Sequence, residues 1–119
     1  MKKNYYYLYG TQNEDLPGLA KLLSDKLDLE FDRHESDYLG EYFKYAGIYA
    51  DKITLERNFN SIEDSWKEEA FKEYPTLLYV SNITGKNTDK LSKSKYLEEA
   101  FPQVAGIKLL RGKIIESND

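Results

Sequence analysis

The run Tyr74-Pro75-Thr76-Leu77-Leu78-Tyr79-Val80-Ser81 limits what this chain can fold into more than any other stretch. It is a largely apolar stretch, and it is β-branched and aromatic rather than alanine-rich. Pro75 stands at its start, where a missing N–H does a sheet least harm. Asn82 and Gly85 close it with turn residues. A short run that is apolar on both alternate faces reads as a strand buried on both sides. It predicts a central strand, with Leu78 and Val80 on one face and Leu77 and Tyr79 on the other. The remaining elements are then expected to cover both faces.

Taken in order, the chain supplies those elements. Tyr5 to Tyr9 reads as a strand ended by Gly10. Asn13 to Asp15 is polar cap chemistry, and Pro17 suits a first helical turn. Leu16, Leu19, Ala20, Leu23 and Leu27 recur at helical steps, which predicts an amphipathic helix ending near Asp28. Leu29, Phe31 and Arg33 alternate with Glu30, Asp32 and His34, a half-exposed strand with Phe31 inward. Ser36-Asp37 marks a turn and Gly40 a turn or bulge. Glu41 to Ala46 and Lys52 to Arg57 follow as strands, the latter with Ile53 and Leu55 inward. Asn58 to Ser65 reads as a loop, and Trp66 to Phe71 as a helical turn. After the central strand, Thr84 to Thr88 is a loop with Thr88 as a cap candidate. Leu91, Leu97, Ala100 and Phe101 give a weaker helical stripe, stopped by Pro102. Ile107 to Leu110 is a last strand, with Ile114-Ile115 continuing it past Gly112. This order predicts an α+β fold: a single domain over 1–119, a mostly antiparallel mixed sheet of about six strands, and two helices.

Composition bounds the function. The chain has no cysteine, so disulfides and thiolate metal sites are excluded. Its net charge is −4, which argues against a nucleic-acid partner, since that needs a basic surface. It permits a basic protein partner. Eleven tyrosines suit both strands and protein interfaces. Met1-Lys2-Lys3 is followed by a stretch too short and too polar for a signal peptide. No apolar run is long enough to span a bilayer. The expectation is a cytoplasmic protein with no membrane partner.

Catalytic motifs are weak. His34 is the lone histidine and lacks an evident nucleophile or orienting partner. Asp32, Glu35, Asp37 and Glu41 crowd one segment, but without the spacing of a metal loop. Thr84-Gly85-Lys86 fails the phosphate-loop pattern, because Asn87 stands where Ser or Thr is needed. Lys86, Lys90, Lys93 and Lys95 read as a solvated helix face. The chain is therefore expected to be no enzyme and to hold no metal or cofactor.

The positive signal is acidic clustering with aromatics interleaved. One cluster is Asp25, Asp28, Glu30, Asp32, Glu35, Asp37 and Glu41, near Tyr38, Tyr42 and Phe43; the other is Glu63, Asp64, Glu68, Glu69 and Glu73, around Trp66. Acidic charge steers a basic partner, and exposed aromatics anchor it. Asp32, Glu35, Asp37, Tyr38, Glu41, Tyr42, Glu63, Asp64, Trp66 and Glu68 are the candidate partner-binding residues, against the plainer reading of a solubilising surface over a tyrosine-rich core.

Ser36-Asp37-Tyr38-Leu39-Gly40-Glu41-Tyr42-Phe43, the Ile53/Leu55 strand, Trp66 and Glu73-Tyr74-Pro75-Thr76-Leu77-Leu78-Tyr79-Val80 together resemble small immunity proteins of bacterial polymorphic toxin and contact-dependent growth inhibition systems. The resemblance implies a cytosolic inhibitor that binds one cognate toxin C-terminal domain and blocks its active site or substrate groove. It carries over no contact residues. The acidic charge adds the expectation of a basic, nuclease-type toxin, and the inhibitor itself is expected to be a monomer. The alternative is a small enzyme or ligand-binding domain using the acidic segment around Asp37.

Overall fold

Side-chain alternation divides each long strand of this chain between two faces, and helices cover only one of them. The computed structural model describes residues 1–104 and 106–118. Its strands are β1 (Lys2–Thr11), β2 (Asp32–Ser36), β3 (Gly40–Tyr45), β4 (Lys52–Arg57), β5 (Phe59–Asn60), β6 (Ser65–Trp66), β7 (Thr76–Asn82) and β8 (Lys108–Ser117). Its two α-helices are α1 (Leu16–Leu27) and α2 (Asn87–Ala100). Six strands form one sheet in the order β2-β3-β4-β7-β1-β8, and β5 pairs with β6 as a separate hairpin. Every neighbouring pair is antiparallel, so the α+β sheet is antiparallel throughout rather than mixed.

The apolar run is β7, inside the sheet between β4 and β1. Leu78 and Val80 join Tyr9, Phe43, Tyr45, Ile53 and Leu55 in the core beneath the helices. Leu16, Leu19, Ala20 and Leu23 cover them from α1, Leu97 from α2, and Phe101 from the 3-10 turn that follows α2. Helix α1 is framed as its sequence indicates. The Asp15 side chain accepts from the Gly18 amide at 3.1 Å, Pro17 sits in the first turn, and Asp28 ends it at φ 59°.

Helix α2 has a weak apolar stripe because its buried line is partly polar: Lys90, Ser94 and Leu97. Lys90 Nζ donates to the Lys3 carbonyl at 2.7 Å, and Ser94 Oγ donates to the Lys90 carbonyl at 2.9 Å. Asn82 Nδ2 donates to Ser94 Oγ at 3.1 Å, so the end of β7 is tied to the helix. The residue preceding the helix is Lys86, not Thr88, and it makes no side-chain cap bond.

Three further boundaries differ from expectation. Leu29 is buried but precedes β2, which starts at Asp32. Trp66 belongs to β6, and the helical turn is a 3-10 turn confined to Glu69–Phe71. Strand β8 continues through Gly112, where a Cβ would lie 2.7 Å from the Tyr7 ring. Glycine there lets the tyrosine lie across the neighbouring strand.

Leu78 is fully buried in the middle of the sheet. Leu78→Ala is expected to cost about 2–5 kcal/mol, the range for large-to-small core changes. Urea unfolding measures it. A loss below about 0.5 kcal/mol, typical of surface positions, would contradict the central placement of β7.

Candidate functional site

Between β4 and β7 the chain makes an excursion, 58–75, that carries the second acidic cluster. Apart from the two-residue strands β5 and β6, little regular structure holds it. Asn58 does so from a fully buried position. Its Nδ2 donates to the carbonyls of Phe71 at 2.9 Å, Tyr74 at 3.0 Å and Glu68 at 3.4 Å. Its Oδ1 accepts from the Glu68 amide at 2.9 Å. Its backbone N–H donates to the Pro75 carbonyl, and its carbonyl accepts from the Lys67 amide, both at 2.8 Å. Only a primary amide offers two donors and an acceptor in so little volume, which is why asparagine and not aspartate fits here.

Asn60 works the same way one step further out. Its Nδ2 donates to the Tyr38 carbonyl at 2.8 Å, and its Oδ1 accepts from the amides of Ile62 and Glu63 at 2.9 and 3.2 Å. This bond spans two segments 22 residues apart in sequence. It brings the β2–β3 turn beside the β5–β6 hairpin. The turn is shaped by Ser36 Oγ, which accepts from the Leu39 amide at 2.8 Å, and by Gly40 at φ +71°. Only glycine takes that conformation without strain.

The two acidic clusters therefore meet at one end of the sheet, and their members fall into three groups. Asp37, Tyr38, Glu63 and Asp64 stand exposed at the tip beside Ile62. Tyr38 is 65% and Ile62 55% exposed, both large for apolar side chains. Trp66 is half-buried and packs edge-on against Phe59 at 5.1 Å, bracing the hairpin from below.

Glu41 and Glu68 are engaged inside the molecule. Glu41 accepts from Arg33 Nε at 2.8 Å and from Arg57 at 3.3 Å. The Arg33 hydrogen bond, helped by Arg57, holds its carboxyl below the usual carboxylate range. Glu68 receives Arg111 through both guanidinium nitrogens, at 3.1 and 3.2 Å, and the Tyr79 hydroxyl at 2.8 Å. Burial alone would raise Glu68, but Arg111 and Tyr79 outweigh it and hold the carboxyl low. The same burial, with Glu68 as acceptor, pushes the Tyr79 hydroxyl up.

The third group lies on strand edges. Register pairs Glu35 with Glu41, and His34 with Tyr42. Alternation then sends Glu35 and Glu41 to the helix side, and Asp32, His34 and Tyr42 to the open side. His34 stacks on the Tyr42 ring at 5.2 Å. The segment Asp32 to Glu41 is thus split between two faces rather than presented as one.

The open side holds a feature that the sequence conceals. Among the described residues no α-helix lies over it, contrary to the expectation that both faces of β7 are covered by the other elements. At one end the 58–75 excursion closes it, where Lys67 pairs with Glu56 and Arg111 with Glu68. From that end a groove of about 660 Å³ runs along the face, with Glu56, Lys67 and Arg111 in its lining. Tyr6, Tyr42, Lys44, Lys52, Ser81 and Lys113 are among its walls. Their signal was hidden because lysine, serine and tyrosine at alternate positions of separate strands form no sequence cluster.

Among the described residues, no group of three or more His, Cys, Asp or Glu side chains is placed to hold a metal ion. No helix among them is long and apolar enough to cross a membrane. The chain matches no family model and no curated protein.

The Glu68 cluster has a predictable pH dependence. Its folded pKa is lowered, so its stabilisation is complete above the unfolded glutamate value of about 4.3 and is lost as pH falls through the lower folded value. Glu68→Gln is expected to cost about 1.5–3 kcal/mol at pH 7, as hydrogen bonds to charged groups do. The difference from wild type should shrink toward pH 3. Urea titrations at several pH values check this, and a difference independent of pH would contradict it.

Proposed function

We propose that this chain is an immunity protein: a cytoplasmic, monomeric inhibitor that binds the C-terminal domain of a cognate toxin and blocks its active site or substrate groove. One observation supports this above the others. Asn60 holds two acidic loops side by side, so that the exposed Asp37, Glu63 and Asp64 share these loops with the exposed Tyr38 and Ile62. Anchoring apolar side chains within a charged rim are what a protein interface needs.

The mechanism is steric and electrostatic. Carboxylates at the tip attract a basic groove of the kind a nuclease uses for phosphates, and Tyr38 and Ile62 fill its apolar floor. The tip adds no catalytic group of its own. The competing view, a small enzyme or ligand-binding domain built on Asp37, gains no observation, because Asp37 lies exposed on a turn.

Surface plasmon resonance against the product of the adjoining upstream gene tests the proposal. Asp37→Lys combined with Glu63→Lys should slow association by about tenfold or more at low salt, in line with electrostatic steering. Both positions are exposed, so the fold should be unchanged. Wild-type association should weaken as salt rises. An association rate indifferent to both the substitutions and the salt would place the interface away from the tip.

A further inference from the structure

The charge of this protein is segregated. Net charge is −4, yet the open face of the sheet gathers cations. Two of them are neutralised within the fold: Lys67 by Glu56 and Arg111 by Glu68. Lys44, Lys52 and Lys113 line the same groove and form no ion pair among the described residues.

Strand register places two of them in one line. Lys52 pairs across to Ser81, Ser81 to Tyr6, and Tyr6 to Lys113. Ammonium, hydroxyl, phenol and ammonium groups thus follow one another over four adjacent strands. With about 4.8 Å between strands, the two lysine backbones are roughly 14 Å apart. Lys44 opposes Thr54 in the next line, where Tyr79 and Leu8 continue the floor.

We propose that this groove is a second docking surface, which takes an extended acidic segment of a partner protein across the strands. In an extended chain every second side chain points the same way, about 6.7 Å apart. Carboxylates four residues apart are then about 13–14 Å apart, which matches the span from Lys52 to Lys113. Ser81 and Tyr6 supply hydroxyl donors between the two ends, and the buried Leu8 gives an apolar floor. The volume, about 660 Å³, suits a short segment rather than a whole domain.

A single-stranded nucleic acid fits less well. Such strands bind on several free aromatic rings. Here Tyr42 already carries His34 on one of its faces, and Tyr6 is only 36% exposed. The groove lies on the sheet face, whereas the acidic tip lies on the turns at one end, so the two surfaces are tested independently.

The experiment is fluorescence polarisation with a fluorescein-labelled peptide of about six glutamates. An oligothymidylate of equal charge and a neutral glutamine peptide serve as comparison probes. The wild type is expected to bind the glutamate peptide, more weakly as salt rises, and to prefer it to both other probes. Lys52→Glu with Lys113→Glu should weaken binding by at least about tenfold, since like charges face one another. If that pair fails to fold, Lys52→Gln with Lys113→Gln gives the same test with a smaller loss. The Asp37→Lys, Glu63→Lys variant should bind the peptide no less tightly than wild type. No binding by wild type at millimolar peptide, binding unchanged by the lysine substitutions, or tighter binding of the oligothymidylate would each overturn the proposal.

Discussion

The hydrogen bonds of one buried amide, Asn58, hold together what the sheet cannot. Strands β4 and β7 are neighbours, and the chain between them has to leave the sheet and return. A loop of this length is entropically costly to fix, and it has few apolar contacts to offset that cost. Asn58 answers at a single point, joining the starts of both legs to the turn around Phe71 and Tyr74. Gly10 completes the seat, since a Cβ there would meet the Tyr74 ring and Leu110 at 2.8 Å. Burying an amide costs stability unless its donors and acceptor are satisfied, and here they are.

Once the excursion is fixed, other features follow from it. Glu68 is carried over the open face, where it reaches Arg111 and Tyr79. Lys67 reaches Glu56. These bonds close one end of the groove and leave the other end lined by Lys44, Lys52 and Lys113, which form no ion pair among the described residues. Asn60 then extends the hairpin to Tyr38, which sets the acidic tip. The same excursion therefore separates the charges of the molecule. Paired acids and bases sit under it, Asp37, Glu63 and Asp64 at its outer end, and Lys44, Lys52 and Lys113 on the uncovered part of the sheet, where Asp32 is the cross-strand neighbour of Lys44. Asn82 and Asp51 do comparable work at the opposite end. Asp51 accepts from the amides of Ile83 and Thr84 at 2.6 and 2.7 Å, and Asn82 Oδ1 from the Asp51 amide at 3.0 Å.

Much of the fold was legible because its elements obey simple periodicities. The α1 stripe and the alternation of β4 each announced both type and inward face, and the β7 run announced a central strand but not that one of its faces stays uncovered. Leu78, Val80, Ile53 and Leu55 lie where those patterns put them. Helix α2 was harder, because Lys90 and Ser94 are buried through polar contacts to distant residues rather than by apolar character. The excursion was harder still. Asn58 and Asn60 look like ordinary loop formers, and their role depends on carbonyls up to 22 residues away. For the candidate site, the acidic residues were visible as clusters. Their division into exposed and engaged members was not, because it depends on Arg33, Arg57 and Arg111 from other strands. The groove was invisible for a related reason: cross-strand register assembles Lys52, Ser81, Tyr6 and Lys113 from four separate segments.

The central claim is that Asn58 holds the excursion, and with it the acidic tip, onto an otherwise self-sufficient sheet. Amide hydrogen exchange on Asn58→Ala tests it most directly. The account predicts that the Glu68, Phe71 and Tyr74 amides lose protection, while those pairing β7 with β1 stay slow. Unchanged protection at Glu68, Phe71 and Tyr74 in a folded variant would contradict it.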